Sequence, residues 1–95
     1  MMYAVKFRKD AEKEWKKLEK TIQSQFAKQL IKRCKNPHVS SEKLRNMQNC
    51  DKIKLRTSGF RLVYQVIDDV LIIAVVAVGK REKSQVYNLA CERLK

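Results

Sequence analysis

Hydrophobic spacing divides the first third of the chain into a predicted strand and two predicted helices. Residues 3–8 alternate between apolar and smaller or charged side chains, the period of a half-buried strand. From Asp10, a predicted N-cap, apolar residues follow at helical spacing. Thr21 is the predicted cap of a second amphipathic helix, which should end at Asn36-Pro37, because the residue before a proline avoids the α conformation. The two segments together predict a helical hairpin.

Three strand patterns and a final helix occupy the second half of the chain. A polar connector over residues 38–51, containing Leu44 and Met47, precedes them. Residues 52–56 alternate strictly between charged and apolar types, and residues 60–67 are rich in strand-forming types. Residues 70–78 are almost continuously apolar, as in a central strand covered on both faces. Turns are predicted at 57–59 and 68–69, and Ser84 is the predicted cap of the last helix, which carries Val86, Leu89, Ala90 and Leu94.

The resulting element order, β-α-α-β-β-β-α, predicts a small α+β fold with a mainly antiparallel sheet and helices largely on one face. A length of 95 residues favours one domain over residues 1–95. Since 44% of the residues are hydrophobic, a disordered basic tail is excluded.

A strong positive charge narrows the possible partners. The chain has 22 Lys and Arg against 10 Asp and Glu, a net charge of +12, with a pI near 9.9. Such a field attracts polyanions, so nucleic acid, an anionic membrane or an acidic protein are the candidates. The longest apolar run is nine residues, too short to span a membrane, and the N-terminus lacks the pattern of a signal peptide. A cytoplasmic protein without membrane contact is therefore expected.

Cysteine and histidine usage gives no pattern of a metal or disulfide site. The three cysteines lack C-x-x-C spacing, which favours a reducing compartment. The single histidine, His38, lies beside Pro37 without another metal-binding residue type at ligand spacing. No cofactor and no metal are expected.

Strand parity predicts a basic face on the central hairpin. A two-residue turn at 58–59 pairs Arg56 with Arg61, and this register places both on one face with Lys52 and Lys54. A three-residue loop would mix Arg61 into the core face, so the two-residue loop is favoured.

Four cations on one face indicate an anionic ligand, because neighbouring like charges destabilise a sheet by up to about 1 kcal/mol per pair. The alternative is a solvated face that maintains solubility, although soluble surfaces usually mix both signs. A second basic cluster, Lys80-Arg81-Glu82-Lys83, follows the central strand. Tyr87 in the last helix is either a half-buried core residue or a platform on which a base stacks.

Residues 49–66, NCDKIKLRTSGFRLVYQV, and residues 78–87, VGKREKSQVY, resemble the RelE toxins of bacterial type II toxin–antitoxin systems. The resemblance extends to Lys43-Leu44-Arg45 and to the first helix, and the order and spacing of these motifs make it specific. It implies a RelE-like fold and a ribosome-dependent endoribonuclease that cuts messenger RNA in the ribosomal A site. The implied reaction is attack by the 2′-OH, leaving a 2′,3′-cyclic phosphate.

The resemblance also implies partners and site residues. The partners are a RelB-like antitoxin, the ribosome with its 16S rRNA, messenger RNA, and operator DNA only through the antitoxin complex. Matched position by position, the implied catalytic set is Lys52, Lys54, Arg61, Arg81 and Tyr87. The implied RNA- or rRNA-binding residues are Arg45, Arg56, Lys80 and Lys83. Phe60 stands where some relatives have tyrosine.

RNA cleavage of this kind requires a base, an acid and positive charge on the developing phosphorane. Neighbouring cations disfavour the charged form of a lysine, so Lys54 is the hypothesis for the base. Arg61 and Lys52 are expected to hold the phosphate, Arg81 to stabilise the leaving oxygen, and Tyr87 to stack on a base. Two alternatives stay open: a toxin of the same fold directed at DNA gyrase, and a non-catalytic RNA-binding module that acts with its antitoxin as a repressor.

Overall fold

A four-stranded mixed sheet lies at the centre of the fold, with helices on both of its faces. The computed structural model describes residues 2–39, 43–44, 48–80 and 85–94. Their element order confirms the predicted β-α-α-β-β-β-α arrangement. The elements are β1 (Ala4–Phe7), α1 (Lys9–Lys16), α2 (Lys20–Lys35), β2 (Cys50–Lys54), β3 (Phe60–Ile67), β4 (Ile72–Lys80) and α3 (Gln85–Arg93).

The strand order is β1-β4-β3-β2, so the apolar strand β4 is an interior strand, as predicted. The two pairings within β2, β3 and β4 are antiparallel, whereas β1 pairs with β4 in parallel. A 3₁₀ turn at Asp68–Val70 joins β3 to β4, where the sequence predicted a turn.

The two sheet faces bury separate apolar clusters. On one face, α1 and α2 contribute Ala11 and Phe26 to a core with Leu62 and Val75 of the sheet. On the other face, α3 contributes residues to a smaller cluster. Its buried members are Cys50, Val63, Val76, Ala77, Val86 and Ala90. The helical hairpin therefore covers one face, and the C-terminal helix covers the opposite one.

A β-bulge in β4 determines what faces α3. Val63 pairs with Ala77 but Tyr64 pairs with Val75, so Val76 is an extra residue in β4. Because of this insertion, Val76 and Ala77 both belong to the cluster under α3.

The predicted caps of α1 and α2, Asp10 and Thr21, are both wrong. Arg8 occupies the cap position of α1 and Glu19 that of α2, without side-chain hydrogen bonds to the helix ends. Asp10 lies in the first turn of α1, where a carboxylate is favourable beside the helix dipole. Thr21 lies within α2, which ends at Lys35, directly before Asn36-Pro37 as predicted. Ser84 and Met47 lie outside the described residues.

The hairpin between β2 and β3 has a four-residue loop rather than the predicted two-residue turn. The N–H of Leu55 donates to the Phe60 carbonyl (2.9 Å), and the N–H of Gly59 donates to the Leu55 carbonyl (2.8 Å). Gly59 has φ +77°, a left-handed conformation that glycine adopts without a Cβ penalty. The register therefore differs by two residues from the prediction, which leaves each strand side chain on its predicted face.

The cysteines differ in burial. Cys34 and Cys50 are buried and Cys91 is partly exposed, and all three are free thiols. Burial, with a smaller contribution from the neighbouring Asp51 carboxylate, raises the pKa of Cys50 to about 11. Below pH 9 the thiol is protonated in both the folded and the unfolded state. As the pH rises from 9 to about 11, the unfolded state loses this proton first, so the free energy of unfolding decreases.

We expect Ellman's reagent at pH 8 to modify Cys91 rapidly in the native protein and Cys50 only after unfolding. The thiolate is the reactive species, and a thiol with a pKa of about 11 is almost entirely protonated at this pH. Absorbance with and without denaturant counts the thiols, and Cys91→Ser should remove the fast phase. If all three thiols of the native protein were modified at the same rate, this expectation would be wrong.

Candidate active site

A cationic face lies where β2 pairs with β3. Lys54 is directly opposite Arg61 in the antiparallel register, and Lys52 lies two residues earlier on the same face of β2. Lys54 is exposed, whereas Lys52 and Arg61 are partly buried. The structure thus brings together three of the five predicted catalytic residues on adjacent strands.

Arg56 is not part of this face. It was predicted to pair with Arg61, but the four-residue loop places it beyond the end of β2, where it is exposed. Lys54 takes its place opposite Arg61. Arg56 instead lines a groove of about 550 Å³ between the hairpin and α2.

Tyr87 joins the site from the other side of Arg61. The Nη1 of Arg61 donates a hydrogen bond to the Tyr87 hydroxyl (2.6 Å), and the guanidinium carbon lies 5.7 Å from the ring centroid. Tyr87 is partly buried against the cluster beneath α3. The structure confirms the half-buried core position of Tyr87 and places its hydroxyl at the basic face, while stacking on a base stays a prediction.

Gly79 explains why α3 begins so close to Arg61. Gly79 pairs with Arg61 in the sheet, and a Cβ at this position would lie 3.0 Å from the Val86 Cγ2 atom. The missing side chain lets the first turn of α3 approach β4, which brings Tyr87 beside Arg61.

Similarity to known proteins agrees with this arrangement. Residues 5–85 match the family of ParE toxins of type II toxin–antitoxin systems, parDE. A RelE-like toxin protein of Escherichia coli is 70% identical over 95 residues, which is all of both chains. The mRNA interferase toxin RelE of Escherichia coli strain K12 is 48% identical over 94 residues, 99% of both chains. The chain belongs to the RelE family of toxins.

Solved RelE structures share the fold. A doubly substituted variant of E. coli RelE in the free state superposes with a TM-score of 0.92 at 46% identity over 100% of both chains. The toxin in the intact E. coli RelBE toxin–antitoxin complex superposes with a TM-score of 0.82 at 47% identity, covering 85% of this chain and 99% of that one.

The remaining cations matched to the RelE family are placed differently. Lys80 pairs with Phe60, and its Nζ lies 5.9 Å from the Phe60 ring centroid. Phe60 packs on the core beneath α1 and α2, so Lys80 lies on the sheet face opposite Arg61. Arg45, Arg81 and Lys83 lie outside the described residues, and their roles stay predictions.

Asp51 supports the start of β2 in a way the sequence did not indicate. Its side chain is fully buried, and one carboxylate oxygen accepts a hydrogen bond from the Val39 N–H (2.8 Å). The other oxygen lies 3.7 Å from the Lys43 Nζ. This carboxylate ties the connector to the strand that carries Lys52 and Lys54. In the sequence, the acidic residue directly before the predicted strand over residues 52–56 is the only sign of this role.

The described residues of the site in this RelE family member are mainly cationic. Among the described residues, no group of His, Cys, Asp and Glu could hold a metal ion. The Nε2 atom of His38 lies within hydrogen-bond distance of a carboxylate oxygen of Asp68 (3.1 Å). This contact is at the opposite end of β3 from Arg61. In the described part of the chain, no helix has the length and apolarity needed to cross a membrane.

Proposed function

We propose that this chain is the toxin of a type II toxin–antitoxin system and a ribosome-dependent endoribonuclease that cuts messenger RNA in the ribosomal A site. One observation carries the proposal: Arg61 lies between Lys54 of the adjacent strand and the Tyr87 hydroxyl of α3. The mRNA interferase RelE of E. coli, 48% identical, supports the reaction class.

The proposed reaction breaks one phosphodiester bond without a cofactor. The 2′-oxygen of a nucleotide forms a bond to the adjacent phosphorus, the bond to the 5′-oxygen breaks, and a 2′,3′-cyclic phosphate remains. Lys54 accepts the 2′-OH proton, and the leaving 5′-oxygen takes a proton from solvent water. Arg61 and Lys52 stabilise the added negative charge on the phosphorane. We assign Arg81 to the leaving oxygen.

Tyr87 has two tasks in this mechanism. Its hydroxyl fixes the Arg61 guanidinium through the 2.6 Å hydrogen bond. Its ring offers an aromatic surface on which a substrate base stacks beside the cations.

Two substitutions separate these tasks. Tyr87→Phe keeps the ring and should reduce cleavage only a few-fold, the effect of one lost hydrogen bond. Tyr87→Ala also removes the ring and should reduce cleavage by on the order of 10- to 100-fold, since stacking contributes about 1–3 kcal/mol per base. The measurement is single-turnover cleavage on programmed ribosomes. Equal losses in the two variants would contradict a role for the ring.

The ribosome has a specific part in this proposal. The described face offers lysine, arginine and tyrosine, without the histidine or carboxylate that general acid–base catalysis most often uses. Cleavage of free RNA should therefore be slow. A ribosome that aligns the 2′-oxygen with the scissile bond supplies a large share of the barrier reduction by orientation alone.

Primer extension on a defined messenger tests the function, with purified protein acting on programmed ribosomes or on free RNA. We expect cleavage at the A-site codon only with ribosomes, and none with the Arg61→Ala protein. If the folded protein cleaves neither substrate, the nuclease proposal is wrong. A supercoiling assay then distinguishes a gyrase-directed toxin from a non-catalytic RNA-binding repressor.

We further propose that a RelB-like antitoxin binds and neutralises this chain in the cytoplasm. The structures of E. coli RelE with RelB or a RelB peptide support this partner class. The net charge of +12 favours an acidic partner segment. Operator DNA should be bound through the antitoxin complex. Co-purification of the toxin with the product of an adjacent antitoxin gene, followed by loss of cleavage, tests this partner.

A further inference from the structure

An ion pair joins the two helices that lie on opposite faces of the sheet. Arg93, in the last turn of α3, donates to both carboxylate oxygens of Glu14 in α1, at 2.8 and 3.0 Å. The Nη1 atom of Arg93 also donates to the Val76 carbonyl at 2.8 Å. The Glu14 Oε1 accepts the backbone N–H of Val78 at 3.1 Å. Both side chains are mostly buried, with 16% and 25% of their surface exposed.

These contacts satisfy backbone groups of β4. Strand β1 ends with Phe7 opposite Val75, so β4 has no β1 partner beyond that point. Val76 is the extra residue of the bulge, and its carbonyl is bonded by Arg93. The Val78 N–H is bonded by Glu14. Since a buried backbone group without a hydrogen-bond partner is costly, the ion pair stabilises this edge of the sheet as well as the two helices.

Other contacts of α3 include hydrogen bonds from Arg8 to the Arg93 carbonyl (2.9 Å) and from Arg61 to the Tyr87 hydroxyl (2.6 Å). The helix has nine residues, of which only Val86 and Ala90 are buried. A helix of this length is marginal on its own, so contacts with the sheet must hold it in place. Val86, Ala90 and Arg93 have the i, i+4, i+7 spacing of one helix face. Val86 contacts the sheet at one end of α3 and Arg93 at the other.

We propose that Arg93, through Glu14 and β4, is a positioning residue that keeps α3 in place so that both the ring and the hydroxyl of Tyr87 stay beside Arg61. Arg93 lies six positions after Tyr87 along the helix, about 9 Å away, so Arg93 acts on the site only through α3. The inference rests on the proposed function in one respect, because Tyr87 and Arg61 are taken as catalytic.

Hydrogen exchange tests the anchoring independently of any activity. In Arg93→Gln, the α3 amides should lose protection by on the order of tenfold, together with the β4 amides beside Val76 and Val78, while the amides of β2 and β3 are unchanged. Lys16→Gln is the control for net charge, because Lys16 is exposed on α1 with only a 3.7 Å pair to Glu12. Arg93→Lys keeps the charge but loses the planar fork, so it should show an intermediate loss in α3. Protection that is unchanged, or that falls equally in α3 and in β2 and β3 in both Arg93 variants, would overturn the proposal.

Coupling with Tyr87 tests the consequence for cleavage. Arg93→Gln should lower cleavage on ribosomes by about 10- to 100-fold, the effect of a misplaced catalytic group. Adding Tyr87→Ala to that variant should then cost much less than Tyr87→Ala costs alone, because Tyr87 is already displaced. If the fold-losses of the two single variants simply multiply in the double variant, Arg93 does not act through Tyr87. If the wild-type protein does not cleave, the proposed function fails, while the exchange experiment still decides whether Arg93 anchors α3.

Discussion

Arg61→Ala should lower ribosome-dependent cleavage by on the order of 10²- to 10³-fold while the protein stays folded. The Arg61 side chain lies beside Lys54 and bonds the Tyr87 hydroxyl, so its loss removes a donor aimed at the developing charge and frees Tyr87. Arg61 belongs to the cationic face and is only partly buried, so the free energy of unfolding should change little. Single-turnover cleavage and thermal unfolding measure the two effects.

Arg56→Ala is the matched control for this prediction. It removes the same charge five residues earlier in the chain, from the loop rather than from the face. We expect a loss of less than about fivefold, typical of an exposed charge near a polyanion. Equal effects of the two alanine variants would mean that net charge, rather than the position of Arg61, determines cleavage.

Lys54→Arg should reduce cleavage by on the order of 10²- to 10⁴-fold, because arginine keeps the positive charge but does not release its proton in proteins. The exposed position of Lys54 at the end of β2 accommodates the larger side chain without a change in packing. Rates of cleavage on programmed ribosomes, at saturating toxin, measure the effect on the chemical step.

Lys52→Arg is the control for the role of Lys54. Lys52 lies on the same face, and its proposed role is purely electrostatic, so arginine should serve there with a loss of no more than about tenfold. Full activity of Lys54→Arg would exclude Lys54 as the base. A loss as large in Lys52→Arg would mean that the site requires lysine geometry at both positions rather than proton transfer at one.

The face of each hairpin residue could be predicted from the sequence, and the partner of each residue could not. Alternation alone places Lys52, Lys54 and Arg61 on one side, and an error of two residues in the register leaves that conclusion intact. The loop length was wrong because Gly59 permits a left-handed residue at the end of a four-residue loop as well as in a two-residue turn. That difference moved Arg56 off the face.

The position of α3 was beyond the reach of local patterns. The Glu14–Arg93 pair joins residues 79 positions apart. From its local sequence, each of the two residues would be predicted to be an ordinary exposed charge on a helix. The missing side chain of Gly79 also leaves room for Val86, a contact that no local sequence pattern indicates. Hydrophobic periodicity gives the faces of single elements, whereas contacts between distant elements depend on how those faces meet.

The parallel pairing of β1 with β4 has a consequence for synthesis of the protein. Strand β1 cannot pair until β4 (Ile72–Lys80) has been synthesised, and Tyr87 and Arg93 are synthesised after β4. Such long-range pairing cannot form during most of translation, when the N-terminal half emerges alone. The surface formed by Lys54, Arg61 and Tyr87 therefore assembles only after the segment that contains Arg93 has been made.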